Sequence, residues 1–336
     1  MELSDYRPRP RLRVPGSRVP RAAVPAIDAH NHLGRWLTGD WAVPDVGRLL
    51  ALMDACGVQK IINLDGRWGP ELRDNLDRYD RAHPGRFVTF CHVDWNDLGG
   101  AATSLCHSVI EGARGLKVWK DLGLHVRDDS GRLVLPDDER LGELWDTAAE
   151  LGIPVAIHTA DPIAFFDPVD ERNERYEQLL AHPDWSFADT DRFPRFEQLM
   201  DALETLVARH PDTTFIAVHG GCQAEDLGRV GRMLADYPNL HIDIAARIAE
   251  LGRQPRATRE LILRFPDRVL FGTDEIPPDA DVYGIHFRFL ETADEYFPHS
   301  TEDPPLMGRW HISGLDLPPN VLEKVYAANA NRLLNL

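Results

Sequence analysis

His30 and His32 stand two residues apart in the stretch AIDAHNHLG (26–34). On a β-strand successive side chains alternate faces, so both imidazoles point the same way and could share one cation. The spacing alone decides little, because 14 His in 336 residues supply roughly 0.6 such pairs by chance. Position adds weight. The pair ends a β-branched run and precedes a Gly, and His158, His219 and Asp274 occupy the same address on three other runs. A lone strand-end His is more often a hydrogen-bonded structural residue. Four His and one Asp converging on one end of a sheet instead make a donor set for Zn²⁺ or a similar divalent ion, with a position left open for water.

The elements that must position these five residues read as an alternation. Eight short runs are read as strands: VPAIDAH (24–30), VQKIINLD (58–65), RFVTFCHV (86–93), RGLKVWK (114–120), IPVAIHT (153–159), TTFIAVH (213–219), LHIDI (240–244) and RVLFGTD (268–274). Amphipathic stretches lie between them, such as PDVGRLLALMDACG, DERLGELWDTAAELG, RFEQLMDALETLVARHP and AEDLGRVGRMLADYP. Several end in Gly, or in Pro just beyond the last periodic residue, as helix C-termini do. Strand–helix alternation implies a parallel sheet, and eight units predict closure into a (β/α)8 TIM barrel of the α/β class. An open doubly wound sheet is the alternative. No GxGxxG follows the first strand, which weighs against a dinucleotide-binding version and an NAD(P)-dependent oxidoreductase.

Two connections exceed plain barrel loops: residues 160–195 after the fifth strand and 275–317 after the eighth. Both leave the strand ends where barrel enzymes carry their sites, and both are rich in aromatics, Pro and charge. They are read as a lid that shields chemistry from water, with packing decoration as the other reading. Residues 1–23, rich in Arg and Pro, read as an extended arm on the domain or on a partner subunit, or else as a disordered tail. One barrel domain follows, 24–336.

A net charge of −17 argues against nucleic acid as a partner, since phosphate binding needs a basic face. A local Arg cluster could still bind a small anionic substrate. No stretch approaches the ~20 apolar residues that span a bilayer, and the N-terminal segment lacks the apolar run of a signal peptide, so a cytoplasmic protein is expected. Cys56, Cys91, Cys106 and Cys222 show no CxxC spacing and read as reduced packing residues.

Taken in order, IDAHNHLG (27–34), GIPVAIHT (152–159), FIAVHGG (215–221), LFGTDEIP (270–277) and KVYAANANRLL (324–334) resemble the amidohydrolase superfamily. Within it the chain is similar to amidohydrolase family 2, the aminocarboxymuconate-semialdehyde decarboxylase-like branch, over about 25 to 336. The resemblance implies that His30, His32, His158 and Asp274 hold one divalent metal ion, zinc foremost. It implies that His219 stands beside the ion, polarising the substrate or shuttling a proton. Elementary chemistry supports these roles. A divalent cation draws the pKa of its water toward ~7, and Asp274 can accept the proton of attacking water and pass it to a leaving group.

The leading expectation is a metal-dependent hydrolase acting on an amide, lactone or related bond of a small organic substrate. Its alternative is metal-dependent non-oxidative decarboxylation of a small carboxylic acid, which the same residues serve. A barrel with a decayed metal site is a third reading, against which the intact donor set argues. Some relatives read HGGG where this chain has HGGC (219–222). Cys222 is expected to open the next helix and alter loop packing rather than chemistry.

Cationic residues near the strand ends could meet a substrate carboxylate. On the fourth strand only one parity can face the barrel interior, either Lys117 with Trp119 or Lys120 with Val118. Other superfamily branches carboxylate a Lys here to bridge two metals, whereas family 2 enzymes generally use one metal without it. An inward Lys is therefore read as a contact to a substrate carboxylate or behind the ligands, and an outward solvated stem is the other reading. Arg35 and Arg247 could clamp a carboxylate by paired hydrogen bonds, or stand as exposed loop residues. Trp36, Phe165 and Phe166 could wall the pocket or pack in the core. The expected partner is a small-molecule substrate that could bear a carboxylate, and the arm offers a route to a homodimer.

Overall fold

The computed structural model describes residues 11–336, so the first ten residues of the arm lie outside the described residues. The strands are β1 Ala26–Asn31, β2 Val58–Asn63, β3 Phe87–Thr89, β4 Leu116–Val118, β5 Val155–Ile157, β6 Phe215–Ala217, β7 Leu240–Asp243 and β8 Val269–Leu270. All pair in parallel, in two arcs ordered β1-β2-β3 and β4-β5-β6-β7-β8. Residues just past the strands join the arcs. Cys91 donates its N–H to Gly115 O (2.9 Å) and accepts from Lys117 N–H (2.7 Å). Across the other seam Ala29 N–H reaches Phe271 O, and Asp274 N–H reaches His30 O, each at 2.9 Å. The sheet is closed, as the eightfold alternation predicts, but its strands are shorter than the apolar runs because the runs continue into the site-bearing turns.

Register shows which side chains share the interior. Lys117 pairs with Ala156, Ala156 with Ile216, and Ile216 with His241. In-register partners of a parallel sheet point to the same face. Ile27, Ile62, Val88, Ala156, Ile216 and Leu270, drawn from six strands, form one apolar cluster, while Leu116, Val118, Val155, Ile157, Phe215 and Ile242 pack toward the helices. Lys117 therefore lies on the inner row. Lys120 sits beyond the strand, ion-paired with Asp161.

The helices bury one stripe each. Phe196–Arg209 buries Phe196, Leu199, Met200, Leu203, Leu206 and Val207, the 3–4 spacing of a core-facing helix. Each such side chain is worth about 1.5–3 kcal/mol of burial. Residues 275–317 are not one long loop. Asp279 accepts N–H bonds from Asp281 and Val282 and starts the helix Ala280–Glu291, which buries Tyr283, Phe287, Phe289 and Leu290. Its stripe is aromatic and interrupted by Asp, His and Arg, so composition hid its period. The connection after β5 carries two 3-10 turns, Ile163–Phe166 and Pro183–Trp185, and a short helix, Tyr176–Ala181. The two connections touch: Arg309 pairs with Glu177, and buried Arg175 pairs with Glu250 beyond β7.

Residues 11–23 cross the helices Val46–Cys56 and Ala280–Glu291. Ala22 N–H bonds Cys56 O at 3.0 Å, and Ala23 N–H bonds Glu291 Oε1 at 2.9 Å. No helix among the described residues is long and apolar enough to cross a membrane. The four cysteines are unpaired.

Asp65, just after β2, is fully buried and neither carboxylate oxygen has a hydrogen-bond partner. Burial pushes its carboxyl up to about 7 from 3.8. The native state therefore keeps a proton that the unfolded chain releases, and stability falls as pH rises through that window. Asp65→Asn cannot ionise. Its Tm advantage over the wild type is expected to grow between pH 5 and 7.5 and then flatten; a difference independent of pH in calorimetric scans would refute this account.

Candidate metal centre and the cavity beside it

The five strand-end residues meet. Nε2 of His30 lies 3.6 Å and Nε2 of His32 3.4 Å from Asp274 Oδ1, and His219 Nε2 lies 4.0 Å from Asp274 Oδ2. The His158 ring stands 4.4 Å from that of His219, with its Nε2 3.3 Å from Asp161 Oδ1. Among the described residues the tightest donor group is His30, His219 and Asp274, whose ligand atoms lie within 4.8 Å of one another. His219, which the resemblance sets beside the cation, thus belongs to the tightest triple, while His32 and His158 flank it.

Local backbone explains how these groups reach one point. The pairing register with β2 shifts between Asp28 and Asn31, at the end of β1. After β6, His219, Gly220, Gly221 and Cys222 have φ of 59°, 67°, 77° and 59°, and Cys222 N–H closes the turn on Val218 O at 2.8 Å. This is one turn of left-handed helix, which costs roughly 1–2 kcal/mol for each residue bearing a Cβ. The two glycines halve that cost. Asp274 adopts φ 60° as well. Cys222 does not open a helix, because the next one, Leu227–Asp236, starts five residues on. Its Sγ instead accepts the N–H of Thr159 at 3.3 Å, tying the His219 turn to the residue after His158. Gly272 admits a close approach, since a Cβ there would sit 2.8 Å from His30 Cβ.

Asp243, at the end of β7, orients the cluster and was not singled out by the sequence reading. Its Oδ2 accepts His30 Nδ1–H at 2.7 Å, and its Oδ1 accepts the N–H groups of His219 (2.7 Å) and Ala245 (3.1 Å). His219 Nδ1–H donates to Ala245 O at 2.9 Å. Both imidazoles therefore present Nε2 as a lone pair. His30 Nε2 is buried without a hydrogen-bond partner and faces the Asp274 carboxyl at 3.6 Å. Burial holds His30, His32 and His219 well below the usual imidazole range and His158 at about 4, so all four are neutral donors. Burial also pushes Asp274 up to about 7 and Asp243 up to about 6. Neutral imidazoles around buried carboxylates fit a divalent cation, which would offset the carboxylate charge.

The cations anticipated from sequence part company. Lys117 is 1% exposed, and its Nζ has no hydrogen-bond partner; burial lowers it to about 8. Arg247 is buried, donating to Ala246 O at 2.8 Å. Arg35 is taken up by Asp74 at 2.6 Å and lies over Trp41. Phe165 and Phe166 pack against Trp185, Phe187 and Phe196 in the core of their loop. A cavity of about 390 Å³ adjoins the cluster, lined by Trp36, Arg67, Trp68, His92, Lys117 and Trp119 among others. Trp119 connects the two, its ring 4.9 Å from that of His32 and 6.0 Å from that of His158. An open hollow of 670 Å³ around Trp41 and Arg78 holds none of the metal-site residues.

The profile of the family described as Amidohydrolase matches residues 27–336. No curated protein matches the chain. Among solved structures, 2,6-dihydroxybenzoate decarboxylase from Rhizobium is similar with a TM-score of 0.60 at 19% identity, over 93% of this chain and 99% of that one. A dihydroxybenzoic acid decarboxylase from a Polaromonas species, with bound manganese and the inhibitor 2-nitroresorcinol, has a TM-score of 0.59 at 18% identity over 93% and 97%. 5-Carboxyvanillate decarboxylase from Sphingomonas paucimobilis has a TM-score of 0.57 at 15% identity over 94% and 100%. At these identities the likeness shows the fold.

Replacing Asp243 by Asn keeps its size but removes the charge that fixes His30. Metal affinity, measured by competition with a chelator, is expected to fall about 10–100-fold. An unchanged affinity would mean that Asp243 does not orient the donors.

Proposed function

The chain belongs to this amidohydrolase family, and on that premise we propose that it is a metal-dependent decarboxylase releasing CO₂, without oxidation, from a small aromatic carboxylic acid. One observation carries the reading: Lys117 lines the cavity with a buried ammonium that has no hydrogen-bond partner. A buried cation without a partner is costly, and a substrate carboxylate would neutralise it. A neutral amide or lactone would not. The tryptophan walls suit a planar ring, and the similar folds of benzoate decarboxylases lend support. Hydrolysis is the second reading, favoured by the family's description.

His30, His32, His158 and Asp274 are the proposed ligands, with His219 beside them. Zinc is the first ion to test for its affinity for imidazole, and manganese the second, after the Polaromonas neighbour. When bound, the ion supplies Lewis acidity that draws negative charge from substrate oxygens. Trp119 walls the substrate plane, and Lys117 Nζ binds the carboxylate. In the reaction a proton is added at the ring carbon that bears the carboxylate. The C–C bond then breaks, its electron pair returns to the ring, and CO₂ leaves. Asp274 and His219 Nε2 are the groups that hold and move that proton. The unpaired cysteines agree with a cytoplasmic setting.

Metal-loaded protein incubated with 2,6-dihydroxybenzoate and related benzoic acids is expected to release CO₂ in step with the decarboxylated product. Lys117→Met is expected to reduce turnover at least a hundredfold. Turnover of lactones or amides with no CO₂ from any acid would establish the hydrolase instead. In metal analysis His158→Ala is expected to lose stoichiometric metal, and His219→Ala to keep it while losing turnover; the opposite pattern transfers the ligand role to His219.

A further inference from the structure

The cavity holds a second cation, Arg67, to which neither the sequence motifs nor the proposed reaction gives a role. It follows β2 in NLDGRWG (63–69) and adopts φ 58°. A non-glycine residue keeps that conformation only where its surroundings impose it, commonly at ligand sites. The guanidinium lies over two indole rings, 4.7 Å from the Trp36 centroid and 4.1 Å from the Trp68 centroid. One N–H reaches His92 Nδ1 at 3.4 Å, and His92 Nε2–H is fixed on Leu64 O at 2.7 Å.

No carboxylate among the described residues lies within 4.0 Å of Arg67. The acids that line the same cavity each engage Oδ1 in their own turn, Asp94 with Asn96 N–H (3.0 Å) and Nδ2 (2.8 Å) and Asp121 with Leu122 N–H (3.0 Å). With Glu71 and Asp65 they act on the half-buried Arg67 only through space, and burial outweighs them in lowering its pKa. A guanidinium presents five donors in a plane. Packed over two indole rings, the guanidinium keeps an in-plane edge that suits a bidentate acceptor such as a carboxylate. Trp119 Nε1, on the same wall, is also buried without a partner.

Lys117 and Arg67 thus line one aromatic cavity without carboxylate partners, beside the exposed Arg127, which donates only to the carbonyls of Gly131 and Arg192. A substrate with a single carboxylate would satisfy one of them. We propose that Arg67, clasped by Trp36 and Trp68, binds a second anionic group, so that the preferred substrate is a planar aromatic acid bearing two acidic substituents on one ring. This rests on the reading of the cavity as the substrate site, and it adds a specificity-determining residue to that site.

Isothermal titration of the metal-loaded protein with benzoate, phthalate, isophthalate and terephthalate tests the proposal. At least one dicarboxylate is expected to bind the wild type tenfold or more tightly than benzoate. Arg67→Met is expected to abolish that preference while changing benzoate affinity less than threefold, and Arg67→Lys to retain part of it. Should the Met variant not fold, Arg67→Gln serves in its place. A wild type with no preference for any dicarboxylate, or a preference that survives removal of the charge, overturns the proposal. CO₂ is measured in the same samples. A dicarboxylate bound through Arg67 that yields no CO₂ refutes the decarboxylase reading and leaves the subsite standing, whereas CO₂ from monoacids without a dicarboxylate preference does the reverse.

Discussion

A single buried carboxylate joins the parts of this barrel on which its chemistry depends. Asp243 accepts from the His30 ring on β1, from the His219 backbone after β6 and from Ala245 after its own strand. His30 and Asp243 are 213 residues apart in the chain, so only closure of the sheet brings them together. Such a carboxylate is expensive to bury, and three hydrogen bonds with the field of Lys117 and Arg247 offset the cost. The gain is order. One group sets the tautomer of an imidazole and the position of a strained turn, and both then aim lone pairs at Asp274.

Backbone strain collects at the same face. Of the non-glycine residues with positive φ, Arg67, His219, Cys222, Ala246 and Asp274 lie in the turns leaving β2, β6, β7 and β8. Each would relax in isolation. They persist because neighbouring contacts over-determine them, such as the thiol of Cys222 on Thr159 N–H and the Asp274 N–H on His30 O. The surrounding apolar rows supply the rigidity that makes this sustainable.

Much of this is legible in the amino-acid sequence. Strand–helix alternation reports burial on two faces, and burial is what parallel barrels demand, so the eight runs announced the fold. His30, His32, His158, His219 and Asp274 were visible because their side chains are chemically uncommon at strand ends. Asp243 escaped because one acid inside LHIDI looks the same whether it faces the barrel or a helix. Arg67 escaped because its role depends on two indoles, one of them 31 positions upstream at Trp36, and no local period encodes that. Cys222 departs from the expected helix start for a different reason: the left-handed region is normally visited by single residues, so a run of four, two of them with a Cβ, carries no local sequence signal.

The two seams of the sheet give the site a mechanical meaning. The arcs β1–β3 and β4–β8 meet through backbone hydrogen bonds at Thr89, Cys91, Ala29 and Asp274 and through the Asp28 carboxylate on Thr273. The imidazoles of His30 and His32 belong to one arc, and those of His158 and His219, with Asp274, to the other. The cavity likewise has Arg67 and His92 on one arc and Lys117 and Trp119 on its neighbour. A ligand gripped from both sides acts as a clasp across a joint in the backbone. Occupancy and barrel cohesion then become linked, so whatever fills the site also tightens the scaffold that built it.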